Sequence, residues 1–454
     1  MGSRSRGAGR RSGLHVGDAD WSRRSFLSRS AAMGVPLLGA GTLGGCGIMP
    51  MRSDPSEVRW STWGNPGEIG RMQDFTDDYN KRHPDRTAIL RPVPSDSYKP
   101  RILTQLGGGT APDVFYTYDN LIHQLIIADL ILPLRERLEG PDSVSRPDEF
   151  FDPLWGAARD DSGEIWGVSV DCNPIVLWYN TNVLADAGVS ELPAAMFEAG
   201  TWTIDEFTNI VEAVRRSGRR AAALGSNWQA IYSWMTARGG QVYADGRFVA
   251  HEDPASVETF VWLSELVESG AFVYAGSLPE GQGQEALFMS NNLAFAMSVG
   301  RWVLPIFREN ENLKYDVAPY PTPDGAQSSA PVAVAYMVLN KDATNPDNAF
   351  RYLSEFVSRR GQMFRLQGQG NAVPSIRGAD EVVLEGGMPE HAENFLRARD
   401  NGYALPVEEA RVPGLGTEIE KRFGLHFAEG TDPVEVLKSV GQVINDAIER
   451  GSLV

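Results

Sequence analysis

Residues able to make or break covalent bonds are few in this chain, and their spacing does not suit that work. No H-E-x-x-H, G-x-S-x-G or Walker A pattern occurs, and the six histidines are scattered without partners. Carboxylates are abundant, but sequence alone places no pair at the separation a glycosidase needs. The two cysteines, Cys46 and Cys172, exclude a disulfide framework and a Cys-rich metal site. The pattern Gly39-Ala40-Gly41-Thr42-Leu43-Gly44 matches a dinucleotide fingerprint, yet it follows no strand and lacks an acidic residue about 20 positions on. The expectation is a protein with no catalytic residues, no metal and no cofactor.

Residues suited to recognition are better represented. Trp63 precedes Gly64-Asn65-Pro66, Trp228 lies in Ser226-Asn227-Trp228-Gln229, and Trp302 follows Gly300-Arg301. These are positions where loops are expected, whereas Trp60, Trp178 and Trp262 fall inside strand or helix patterns and read as core. An indole offers a flat apolar face and one N–H donor. That suits a ligand apolar on its C–H faces and polar around its rim, which is the shape of a sugar. Neighbouring Asn, Asp, Arg and Gln side chains would bond its hydroxyls.

The elements that must position these residues alternate. A strand at 58–63 has strong β-propensity; Asn65-Pro66 then opens a helix with Ile69, Met72, Phe75 and Tyr79 on one face. A strand near 87–93, a helix over 97–106 and a strand at 112–116 follow. The β-α-β-α-β order predicts a parallel sheet, with ligand beyond the carboxyl ends of its strands. Trp63 and Asn65 fall at one such end, Tyr116, Tyr118 and Asp119 at another. Strands at 165–170 and 175–180, joined through Asp171-Cys172-Asn173-Pro174, form a long extended stretch able to carry the chain from one lobe to the next. Helices follow behind the capping box Thr203-x-x-Glu206 and at Asp253-Pro254, Asn345-Pro346 and Asp432-Pro433.

The chain has 454 residues, about three times a one-domain prior of ~150, so two domains are expected. Its net charge of −17 argues against a nucleic-acid partner. Residues 1–45 are the opposite, with seven Arg against two Asp, and read as a separate targeting piece. Ser22-Arg23-Arg24-Ser25-Phe26-Leu27 resembles a twin-arginine export signal. The apolar run 31–43 is shorter than the ~20 residues that span a bilayer, and Leu43-Gly44-Gly45-Cys46 resembles a lipobox. Cys46 is therefore the expected lipidation site and 46–57 the tether, which would leave Cys172 without a disulfide partner.

Over nearly its whole length, the chain beyond that head resembles the extracellular solute-binding proteins of family 1, the maltose-binding-protein-like receptors of ABC importers. The resemblance rests on Thr62-Trp63-Gly64, Gly108 to Val114, Trp166-Gly167-Val168 leading to Trp178-Tyr179-Asn180, Thr201 to Phe207, and Phe288 to Met297 followed by Gly300-Arg301-Trp302. It implies an α/β fold of the type II periplasmic-binding-protein kind, two α/β lobes joined by a hinge with the ligand cleft between them. Lobe I would comprise 58–169 plus 322–365, and lobe II 170–321 plus 366–454. Carried over by position, Trp63, Asn65, Tyr118, Asp119 and Asp171 line one wall and Trp228, Arg301 and Trp302 the other, with Asn371 reaching in from the C-terminal segment. The implied protein is a non-enzymatic, monomeric lipoprotein on the outer face of a Gram-positive, actinobacterial cell membrane. It would pass a carbohydrate to membrane permease subunits. Iron and polyamine receptors share the fold, and the Tyr116/Tyr118 alternation keeps iron in view. A secreted glycan-active enzyme is the competing class.

Overall fold

A computed structural model describes residues 54–279, 283–368 and 370–453. The arginine pair, the Gly39–Gly44 pattern and Cys46 lie outside the described residues. Among the described residues twelve strands form: β1 (Glu57–Ser61), β2 (Thr87–Leu90), β3 (Val114–Tyr118), β4 (Val168–Pro174), β5 (Val176–Asn180), β6 (Arg220–Leu224), β7 (Tyr243–Ala244), β8 (Arg247–Phe248), β9 (Phe272–Tyr274), β10 (Leu293–Val299), β11 (Tyr315–Ala318) and β12 (Val332–Leu339). They assemble into two five-stranded sheets, ordered β2-β1-β3-β12-β4 and β11-β5-β10-β6-β9, plus the short β7-β8 ribbon.

The expected parallel arrangement holds for β1, β2 and β3. The sheet they begin is mixed, because β12, from a distant part of the chain, runs antiparallel between β3 and β4. Only Ile175 separates β4 in the first sheet from β5 in the second. Pro174 has no N–H to extend the ladder, and the Ile175 N–H donates to Pro331 O (2.9 Å). The chain returns through 319–331 into β12 and passes the junction again where Cys172 and Val373 bridge. Cys172 itself is buried and free.

Local signals account for the helices. Asn65 accepts from the Glu68 N–H (3.1 Å) while Glu68 Oε2 accepts from the Asn65 N–H (2.7 Å), a reciprocal cap on the helix Pro66–Arg82. Thr203, Asp253, Asn345 and Asp432 cap the helices that follow them. The first core closes around Trp60, whose Nε1 donates to Thr76 Oγ1 (3.2 Å) and whose rings meet Tyr352 and Phe356 at 5.6 and 5.1 Å. In the second, buried Trp178 donates to Val299 O (3.1 Å) and meets the edge of Phe307 at 5.3 Å. Trp262 is half-buried against Trp234, under the Arg238 guanidinium. Among the described residues no helix is long and apolar enough to cross a membrane.

Candidate functional site

A cavity of about 540 Å³ opens where the two sheets face each other. The carboxyl ends of β1 and β3 supply its first wall, as the alternation predicts. Trp63 follows β1, Asn65 and Glu68 form the helix cap, Tyr116 and Tyr118 are alternate residues of β3, and Asp119 opens the helix Asp119–Ile127. Strand residues point alternately to opposite faces, so Tyr116 and Tyr118 reach the same side. Asp171 and Asn173 come from the crossing strand β4. The opposite wall carries Gln229, Glu285, Trp302, Val303 and Ile306, and Asn371 enters from the C-terminal segment.

Trp63 and Tyr118 stack at 4.0 Å and 17°. The Tyr98 and Tyr116 rings meet Trp63 edge-on at 4.9 and 5.5 Å. The result is a rigid aromatic slab, because each ring's neighbours hold its orientation. Trp302 faces the cavity from the turn after β10, and Gly300 makes room for it. A Cβ on Gly300 would lie 2.2 Å from Trp302 Cζ3 and 2.7 Å from Asn173 Cβ. The walls touch where Asn65 Nδ2 donates to Trp302 O (3.4 Å) and where Asn371 Nδ2 donates to Glu68 Oε1.

Four carboxylates line this space, and among the described residues no Lys, Arg or His does. Asp171 is bonded from behind by Arg365 (2.9 Å); burial raises its affinity for a proton and Arg365 opposes that rise. Burial pushes Glu68 up to about 7 against the hydrogen bonds that favour its ionised form, and pushes Asp119 up to about 6.

Of the nine residues expected here, Trp63, Asn65, Tyr118, Asp119, Asp171, Trp302 and Asn371 line the cavity. Trp228 and Arg301 do not. Trp228 is the first residue of the helix Trp228–Ala237 rather than part of a loop. At 7% exposure it packs toward Tyr232 and Tyr403, and the helical rotation brings Gln229 into the cavity instead. Arg301 is fully buried and donates to Ala372 O (3.1 Å) and Val383 O (2.9 Å), tying the C-terminal segment beneath Trp302. Glu68, Asn173, Gln229 and Glu285 were not expected. The Asn65-x-x-Glu68 spacing was the available signal for Glu68, since it sets that carboxylate at the helix start beside the strand ends.

The model of the bacterial extracellular solute-binding protein family matches residues 65–363. No curated protein matches the sequence. Solved structures share the fold at low identity. An ABC substrate-binding protein from Listeria monocytogenes, in complex with cycloalternan, superposes with a TM-score of 0.75 at 19% identity, covering 87% of this chain and 99% of its own. The GacH receptor of Streptomyces glaucescens, solved unliganded and with acarbose, gives 0.72 at 18%, covering 86% and 98%. The sugar-binding protein MalE from Xanthomonas citri gives 0.68 at 16%, covering 87% and 98%. The mixed two-sheet α/β architecture is that of these binding proteins, and with the family model spanning most of the folded part, this chain belongs to the bacterial extracellular solute-binding proteins.

Proposed function

We propose that this protein is the extracytoplasmic receptor of an ABC importer, capturing a sugar or oligosaccharide and handing it unchanged to the membrane permease. One observation carries the reading. A stacked Trp63–Tyr118 slab and Trp302 border the same cavity, with the amides of Asn65, Asn173, Gln229 and Asn371 between them. Flat apolar faces with interleaved donors and acceptors suit a pyranose, whose rings stack while its hydroxyls are bonded in the plane. The saccharides named for the Listeria and Streptomyces structures support the same class.

Capture proceeds by closure of two hinged lobes, expected as 58–169 plus 322–365 against 170–321 plus 366–454. Strand β4 keeps its place in the first sheet through Pro174, because its ladder with β12 runs that far, so the first boundary moves from 169 to 174 and the first hinge strand turns at Ile175. Ligand that touches both walls favours the closed state by what it gains from the second. The basic head exports the chain by the twin-arginine route and Cys46 anchors it as a lipoprotein on the outer face of the membrane. Two acyl chains hold where one would be marginal. The receptor acts as a monomer without catalysis.

Isothermal titration of the full-length protein against mono- and oligosaccharides tests this. A micromolar ligand, about 8 kcal/mol of binding, that is recovered intact and contracts the scattering profile is the expected result. Hydrolysis of the saccharide, or no binding by any of them, refutes the reading.

A further inference from the structure

We infer that the saccharide held in this cavity carries a positively charged amine, placed toward Glu68 and Asp119, rather than being a neutral polyol. The inference rests on reading the cavity as a saccharide site and adds the charge of its ligand.

The census of charge is one-sided. Glu68, Asp119, Asp171 and Glu285 line the cavity, and among the described residues no basic side chain does. Of the four, Asp171 has a counter-ion in Arg365, which also donates to Val170 O (2.6 Å). Lys99 lies near Asp119 but is shared with Glu420. Glu68 receives only neutral donors, the Asn65 N–H and Asn371 Nδ2, and the charge that acts on it is another carboxylate, Asp171. A half-buried carboxylate without a cation loses hydration that no opposite charge replaces. The raised proton affinities of Glu68 and Asp119 are the consequence. An ammonium group delivered by the ligand beside either carboxylate would hold it ionised.

Two further features point the same way. The Tyr116 hydroxyl is buried without a partner, on a residue 3% exposed that lines this cavity, and Arg365, Asp171 and Glu68 all act on it electrostatically. It is an unused acceptor and donor beside the two carboxylates. The Trp63–Tyr118 slab and Trp302 also present π-faces, which attract cations most strongly where water is excluded. The amides of Asn65, Asn173, Gln229 and Asn371 leave a rim of hydroxyls to be satisfied, which a linear polyamine lacks.

The test is titration of the full-length protein with matched pairs differing only in the amine. Glucosamine is set against glucose and chitosan oligomers against cello-oligomers, with the N-acetylated chitosan oligomers and spermidine as further arms. At least tenfold tighter binding of an ammonium member is expected, with the gain lost on N-acetylation and weakened by salt. Glu68→Gln should shrink the gap between pair members at least threefold. Glu285→Gln, on the opposite wall and outside the helix cap, should also shrink it, which covers the case of Glu68→Gln failing to fold. A neutral member binding as tightly as its amine overturns this inference and leaves the saccharide reading standing. Spermidine binding with no saccharide of either charge overturns both.

Discussion

Glu409 offers a test of the buried acidity beside the cleft that needs no ligand. Its side chain is 2% exposed and accepts from the hydroxyls of Tyr232 and Tyr243, each at 3.1 Å. Burial, with Asp119 and Glu420 adding repulsion, pushes it from 4.5 to about 7 against those two hydrogen bonds. A folded-state value above the unfolded one means that the folded protein binds the proton more tightly. Its contribution is then fully present below pH 4.5, and is lost as the pH rises toward 7 and the buried group must ionise. Each tenfold change in proton affinity is worth about 1.4 kcal/mol, so the whole displacement amounts to roughly 3 kcal/mol. Glu409→Gln keeps the volume and an acceptor oxygen for both tyrosines, which bond the same Oε2, but an amide oxygen accepts more weakly, a loss of about 1 kcal/mol. The variant should therefore exceed the parent by about 1–2 kcal/mol at pH 8 and fall slightly below it at pH 5. Urea denaturation at both pH values, read as the difference between the two proteins, measures this. Glu68 tilts both proteins alike and cancels in that difference, whereas Asp119 and Glu420 lose a charged neighbour in the variant and add to its gain at pH 8. Equal destabilisation at both pH values would refute the reasoning, because it would mean that Glu409 carries no uncompensated charge.

Other expectations concern the site and its supports. Trp302→Ala should weaken the saccharide found by titration 10- to 100-fold, about 1.5–3 kcal/mol of lost apolar contact; unchanged affinity removes Trp302 from the site. Gly300→Ala should weaken binding by a similar factor, since its methyl occupies the space of the Trp302 ring; a variant that binds normally shows that the turn relaxes freely. Trp228→Phe should lower the melting temperature and leave affinity within threefold, as expected of packing that faces away from the cavity; a large loss of affinity would reverse that assignment. Cys46→Ser should release the protein from the membrane fraction into the medium, and retention in the membrane would argue against the lipid anchor.

Local chemistry made much of this protein readable from its residues. Asn65, Thr203, Asp253, Asn345 and Asp432 mark helix starts because a cap satisfies donors within three residues of itself. The alternation of strands and helices placed Trp63, Asn65, Tyr118 and Asp119 at strand ends, and they meet in one cavity with Asp171, Trp302 and Asn371, which the family resemblance implied. What the tertiary structure alone decided is nonlocal. Whether Trp228 or Gln229 faces the ligand depends on how one helix is rotated against its neighbours, a matter of a single residue. Arg301 is spent on carbonyls of a segment some 70 and 80 residues further along, contacts that no spacing reveals. Strand β12 turned a parallel sheet into a mixed one only by inserting between β3 and β4 from far along the chain. The acidity of the cavity is of the same kind: Glu68 looks in sequence like an ordinary helix cap, and meets Asn371 and the charge of Asp171 only because the fold brings distant segments to it.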